Sequence, residues 1–273
     1  MRLFFLGTGA AEGLPALFCN CDICRGAQRR GGPDLRTRAS ILIDDVIKID
    51  LPPDTLAHVH KYPQINLADM QHLLFTHSHD DHFAVRELQY LSPIFSQTRL
   101  EPLNVYATSE VTAKMLREME HFFEKAPIRF QSVIPYDTFS AGHLHVTPIV
   151  AHHRDDELCL NYLLSDGTKT LLYACDTGWY DPPTWQYLES LKIDGAIVEC
   201  GKGQTIGGYD GHLNIDEVVN FRDRLLASHT LRETTPFYLT HICHTGQLLH
   251  EEMSKVVGPL GLRVAYDGLQ IQI

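Results

Sequence analysis

The chain reads as an α/β protein whose mixed sheets are covered by helices, in a single domain spanning residues 1–273. Three observations carry that expectation. Short β-rich runs alternate with stretches of helical periodicity from one end to the other. No internal repeat, low-complexity tract or Pro/Ser-rich linker divides them. Hydrophobic residues make up 44% and charged residues 21%, an ordinary balance for a protein with a sizeable core.

Taken in order, strands are expected at 2–6, 40–43, 46–50, 72–75, 103–107, 144–149, 170–174, 196–199 and 237–240. Each is a short run rich in aliphatic and aromatic side chains, the composition that suits a pleated, buried surface. Helices are expected at 83–91, 110–123, 182–191 and 214–226. The last begins well: Asn214 can cap it, Glu217 follows three positions on, and Val218, Phe221 and Leu225 recur at helical spacing. One regularity outweighs the individual elements. Polar clusters follow apolar strands at once: HLLF then THSHDDH, VTPIV then AHH, LLYAC then DTG, PFYL then THICH. Strand-end loops are where a rigid scaffold presents chemistry, and four of them could converge on one rim.

Charge and composition narrow the function classes. A formal net charge of −11 argues against a surface that wraps nucleic acid. The apolar run in MRLFFLGTGA is too short for a signal peptide, and no later run reaches the ~18 residues of a membrane span. Seven cysteines, three of them bunched as Cys19, Cys21 and Cys24, read as reduced thiols and metal chemistry rather than a disulfide framework. A cytoplasmic protein that does not engage membranes is expected, with homodimerisation left open.

In THSHDDH the ligating groups are His77, His79, Asp81 and His82. His77 and His79, two apart, can point to one side of an extended loop, and the turn that follows can aim Asp81 and His82 at a second centre nearby. Imidazole suits zinc, iron and manganese, and carboxylates help to hold two cations close together. A solvated polar loop is the plain alternative, and three histidines in six residues argue against it.

With this motif the chain resembles the metallo-β-lactamase-fold hydrolases, which share His-x-His-x-Asp-His. The resemblance runs over nearly the whole chain: the Gly7-Thr8-Gly9 turn, Asp50 at a strand end, the histidine cluster, a later histidine, Asp176 in CDTG and His241 in LTHICH occur in the family's order. It implies a four-layer αββα sandwich and two divalent metals, manganese or zinc. By resemblance His77, His79 and a later histidine bind one metal, and Asp81, His82 and His241 bind the other, with Asp176 bridging. That later histidine is His152 or His153; spacing from Pro148 in similar sequences favours His153. Asp50 either orients a ligand histidine or is an ordinary strand-end carboxylate. Di-iron oxidoreductases on this fold usually place a glutamate at the position of His79, so a histidine there favours hydrolysis.

Cys19-x-Cys21-x-x-Cys24 is one ligand short of a closed tetrahedral zinc site. His244, three residues after His241, is the expected fourth ligand, with Cys243 as its competitor; Cys159, Cys175 and Cys200 read as core residues. The pairing of Cys-x-Cys-x-x-Cys with His-x-x-His is similar to the phosphoribosyl cyclic phosphate phosphodiesterases of the carbon–phosphorus lyase pathway. Coenzyme pyrroloquinoline quinone biosynthesis protein B has a similar cysteine cluster. His212, in DGHLN, matches the family's general acid. The resemblance therefore implies a dinuclear-metal phosphodiesterase with a small, cyclic phosphate-ester substrate, one structural zinc, and Asp176 and His212 as catalytic residues. The alternatives are an RNA endonuclease of the transfer-RNA 3′-processing type, a non-catalytic quinone-cofactor accessory protein, and a thioesterase resembling glyoxalase II.

Overall fold

The computed structural model describes residues 1–98, 101–119 and 126–273. Its first sheet takes β1 (Arg2–Gly7), β2 (Ser40–Ile43), β3 (Ile47–Ile49), β4 (His72–Leu74), β5 (Leu103–Ala107) and β6 (Ile128–Ser132). The second takes β7 (Phe139–Ala141), β8 (Leu144–Val150), β9 (Leu160–Ser165), β10 (Thr170–Ala174), β11 (Gly195–Glu199), β12 (Phe237–Thr240) and β13 (Arg263–Val264). The chain then returns β14 (Gln270–Gln272) to the first sheet, beside β1. The two orders are β14-β1-β2-β3-β4-β5-β6 and β13-β12-β11-β10-β9-β8-β7. The α-helices are α1 (Asp22–Arg30), α2 (Thr55–Lys61), α3 (Ser109–Glu118), α4 (Pro182–Glu189), α5 (Ile215–Ala227) and α6 (His250–Val257), with short 3-10 segments between elements.

Side-chain alternation builds the layers. Leu3, Phe5, Ile41 and Ile43 meet Leu171, Tyr173 and Ile197 in the core between the sheets. Their neighbours Phe4, Leu6 and Leu42 face the other way, toward Tyr62 and Ile65 after α2. Leu73, Phe75 and Val105 pack under Val111 and Met115 of α3. Leu172, Ala174, Val198 and Leu239 face Trp185, Phe221, Leu225 and Met253 of the opposite helical layer. Helices thus flank both outer faces, which is the four-layer αββα sandwich of the metallo-β-lactamase type. No helix among the described residues is long and apolar enough to cross a membrane.

The strands expected from sequence are all present, with ends shifted by a residue or so. The helix expected at 83–91 is instead a 3-10 segment, Val85–Leu91. His82 and Ala84 are tied by backbone hydrogen bonds to Leu51 on either side of Phe83, so the chain runs extended there and winding starts late. The helix expected at 110–123 runs Ser109–Glu118 with Thr108 as its cap; residues 120–123 lie outside the described residues. Asn214 and Glu217 form the reciprocal capping box that opens α5.

Strands β3 to β6 run parallel, as do β10 to β13. Side chains at the carboxyl ends of parallel strands share one edge of each sheet, the usual location of sites in open α/β sheets.

Candidate metal centre

The site is assembled from strand ends. Asp50 follows β3, residues 76–82 follow β4, His153 follows β8, Asp176 follows β10, Glu199 closes β11 and His241 follows β12. Asp50, Asp176 and His241 all adopt left-handed backbone, at φ of 60°, 54° and 58°. Such conformations cost non-glycine residues of order 1–3 kcal/mol and persist where the surroundings hold them. The Asp176 loop has a second constraint: a Cβ on Gly178 would meet the Asp210 carbonyl at 1.7 Å.

Three donor sets share Asp176, one of them joining it to Glu199, His212 and His241 at the edge of the centre; the other two form the centre itself. His77, His79, His153 and Asp176 place ligating atoms within 4.8 Å of one another, and so do His82, Asp176, His241 and Cys175. In the first set, His77 Nε2 and His153 Nε2 lie 2.9 and 3.2 Å from His79 Nδ1. Asp176 Oδ2 stands 3.4 Å from His77 Nε2 and 3.7 Å from His153 Nε2. In the second, His82 Nε2 is 3.0 Å from Asp176 Oδ2 and 3.0 Å from Asp81 Oδ2. His241 Nε2 is 2.7 Å from Asp176 Oδ1 and 3.8 Å from Asp81 Oδ2. The sulfur of Cys175, read from sequence as core only, borders this second set from the layer between the sheets.

The convergent atoms fit cations better than they fit each other. His82 Nε2, His241 Nε2 and Asp176 Oδ1 are buried and, despite these short separations, have no partner in hydrogen-bond geometry among the described residues. Lone pairs aimed at a common point rather than at one another produce that pattern, and leaving them buried and unpaired is costly. Electrostatics agree. Burial holds His77 well below its ordinary pKa and lowers His79 and His153, keeping them neutral with lone pairs available. Burial also opposes charge on His82 and His241, yet the surrounding carboxylates outweigh it, raising His82 well above its usual value and His241 to about 10. A cage that draws protons onto two buried histidines draws a divalent cation more strongly still.

The remaining ring nitrogens are held from behind. Asp50 accepts from His82 Nδ1 at 2.8 Å and from both the amide and the hydroxyl of Thr76 at 2.8 Å. His153 Nδ1 donates to the Gly211 carbonyl at 3.0 Å, which turns Nε2 inward. His152 faces away, with its nitrogens 3.7 Å from Asp181 and 3.6 Å from Asp210.

His212 lies beside the centre with Nδ1 2.6 Å from Glu199 Oε1. Burial lowers its pKa, the Glu199 carboxylate more than offsets this, and the net direction is upward. Sequence reading gave Glu199 no role. The signal was present in the chain: a carboxylate closing the apolar run AIVE repeats the strand-end rule that picked out Asp50 and Asp176. A cleft of about 290 Å³ opens here, lined by His212, His241, Lys202, Tyr209, Glu12 and Cys243 among others.

A separate thiolate group forms from Cys19, Cys21, Cys24 and His244, again within 4.8 Å of one another. The sulfurs of Cys19 and Cys21 each lie 3.6 Å from His244 Nδ1. Zinc–sulfur and zinc–nitrogen bonds of about 2.3 and 2.0 Å at a tetrahedral angle subtend nearly that separation. The Cys24 amide donates to Cys21 Sγ, the largest influence bringing that thiol down to about 6. Cys243 stands apart from the three thiols, donating to Glu12 Oε1 at 2.7 Å. Burial, then Glu12, pushes its thiol up to about 12.

Comparison with known proteins places this geometry in a family. A sequence model described as Beta-lactamase superfamily domain matches residues 40–242. Coenzyme PQQ synthesis protein B of Methylobacterium radiotolerans is 25% identical over the full length of both chains. An octanoyltransferase of Porphyromonas gingivalis is 31% identical over 56% of this chain, and the match spans only 31% of that protein's length. Among solved structures, a new diphosphatase from the PhnP family superposes with a TM-score of 0.78 at 21% identity, covering 100% of this chain and 97% of its own. With most of its length matched by the family's model, the chain belongs to the Beta-lactamase superfamily domain family.

Proposed function

We propose that the protein is a dinuclear-metal-dependent phosphodiesterase that hydrolyses a small cyclic phosphate ester of the phosphoribosyl cyclic phosphate kind. The observation that carries this reading is the His212–Glu199 pair, set at the edge of a cleft beside the two donor sets. His77, His79 and His153 would hold one cation, Asp81, His82 and His241 the other, and Asp176 both. Two divalent cations bound there, manganese or zinc, supply Lewis acidity and a lowered pKa for water. Cys19, Cys21, Cys24 and His244 would hold a structural zinc.

The chain's own groups account for specificity toward a poor leaving group. Cleaving a sugar phosphodiester releases an alkoxide, which departs readily only when it receives a proton. His212 commits Nδ1 to Glu199, so Nε2 is the atom that carries the transferable proton. Glu199 is wholly buried, and keeps its place by accepting backbone N–H bonds from Gly201, Thr177 and Leu213. A similarly folded protein is described as a diphosphatase, which supports phosphorus as the atom attacked but not an ester as the bond broken.

Full-length likeness to a coenzyme PQQ synthesis protein favours a second reading, a role in making a quinone cofactor. The net charge of −11 weighs against a transfer-RNA substrate. Manganese-loaded protein assayed against bis(p-nitrophenyl) phosphate, phosphoribosyl cyclic phosphate, cyclic nucleotides, a thioester and a tRNA precursor separates these readings. Turnover of the cyclic phosphate and the aryl diester is expected. Turnover of the thioester alone overturns the proposal, and a metal-loaded protein inert to the whole panel favours the accessory role.

A further inference from the structure

Glu12 stands between the thiolate group and the cleft. Its Oε1 lies 3.2 Å from His244 Nε2 and accepts the Cys243 thiol at 2.7 Å. The other His244 nitrogen, Nδ1, faces the Cys19 and Cys21 sulfurs. An imidazole that gives one lone pair to a cation carries its proton on the opposite nitrogen. A carboxylate at that second nitrogen fixes the tautomer, aims the ring and makes it a better donor.

The backbone of Glu12 is engaged as well. Its carbonyl accepts from the Leu17 amide at 3.3 Å, bracing the turn that leads into Cys19. The same side chain lines the cleft with His212 and His241. His241 and His244 sit three residues apart after β12, so one short segment carries a residue of each candidate metal site. Glu12 contacts the far end of that segment from the cleft side. Glu12 and Cys243 thus line the cleft together, while Glu12 Oε1 also reaches His244 of the thiolate group.

We propose that Glu12 is the positioning carboxylate of the thiolate zinc site, and that through Glu12 the bound zinc sets the shape of the substrate cleft. This rests on reading Cys19, Cys21, Cys24 and His244 as a zinc site. The test uses the full-length, metal-loaded protein with Glu12→Ala and Glu12→Gln. Zinc affinity is measured by competition with a chromophoric chelator, the content of the other metals by elemental analysis, and KM with bis(p-nitrophenyl) phosphate. Glu12→Ala is expected to weaken zinc binding about 10–100-fold, the usual effect of removing a metal ligand's outer partner. Glu12→Gln, which keeps an oxygen at the position 3.2 Å from His244 Nε2 but removes its charge, recovers part of that loss. KM rises in the alanine variant while the metals at the His/Asp centre are retained. Wild-type zinc affinity in Glu12→Ala overturns the inference, and weakened zinc with unchanged KM overturns its link to the cleft. A wild-type protein with no thiolate-bound zinc overturns the site and the inference together, so the two failures are distinguishable.

Discussion

His212 Nδ1 and Glu199 Oε1 lie 2.6 Å apart, joining a half-buried imidazole at the cleft to a carboxylate with no exposure at all. The pair predicts non-additive kinetics. Glu199→Gln keeps the shape of the side chain but removes its charge and presents an amide to backbone donors. It should lower kcat on a cyclic ester by less than the ~10²–10⁴-fold that a lost acid costs. Glu199→Gln combined with His212→Ala should be no slower than His212→Ala alone, because the carboxylate acts through the ring. Steady-state kinetics of the four proteins check this, and multiplicative losses would separate the two residues. A melting scan should show some loss of stability, since buried amides lose part of their acceptor.

Cys21→Ser tests the thiolate group. If Cys21 helps to close a zinc site, its loss should remove about one equivalent of zinc and lower the melting temperature, because metal binding contributes to folding. Metal content at the His/Asp centre should be unchanged, since its candidate donor groups share no residue with the thiolate group. In the wild-type protein, mild chelation should abolish hydrolysis before it unfolds the chain. Unchanged zinc content and melting temperature in Cys21→Ser would remove the group from the list of metal sites.

Much of this architecture was legible because strand and site are coupled. Asp50, His77, Asp176 and His241 each follow an apolar run, and a packed sheet leaves such residues little freedom except at its edge. What escaped notice has physical reasons. Helix α1 is capped by Cys21 Sγ accepting from the Cys24 amide, so its start resembled a ligand motif rather than a capping one. Gly26 within it reads as a helix breaker, yet a side chain there would press Leu249 Cδ1 at 2.7 Å. Strand β9 went unread although Asp166-Gly167, with Gly167 at φ 87°, is the Asp-Gly signal for the turn into β10. Strands β6 and β14 are partly exposed edges without a clean alternation. Spacing from Pro148 favours His153 over His152 without showing why; the Gly211 carbonyl, 58 positions away, is what orients it.

Acid sensitivity should trace in part to His58. This buried ring is hydrogen-bonded at Nε2 to Thr37 Oγ1 at 2.7 Å, and Thr37 in turn donates to Asp267. Its Nδ1 is buried without a hydrogen-bond partner among the described residues, so a second proton would have nowhere to bond. Burial first, then the positive charge of Lys48, lowers its pKa from 6.5 to about 3. The folded protein therefore binds fewer protons at this position than the unfolded chain between those two values. The stability it contributes is fully present above about 6.5 and is lost as pH falls toward 3, by up to ~1.4 kcal/mol per unit. Urea midpoints at pH 7, 6, 5 and 4 should fall less steeply in His58→Gln, whose amide can replace Nε2–H. Parallel curves for the two proteins would show that His58 does not titrate in this window.

His212→Ala tests mechanism rather than architecture. A general acid matters most when the leaving group is a poor one, such as a sugar alkoxide, and least for p-nitrophenolate, which departs without a proton at neutral pH. Removing a positioned acid costs ~10²–10⁴-fold. The expected result is a fall of that size in kcat for a cyclic phosphate ester, with a much smaller fall for bis(p-nitrophenyl) phosphate. Metal content at the His/Asp centre should hold, because His212 Nδ1 is committed to Glu199 and lies 3.9 Å from the shared Asp176. An equal loss on both substrates with metal retained would make His212 a residue that binds phosphate or organises its loop. Loss of metal would make it a ligand, and the proton would then have to come from elsewhere in the cleft.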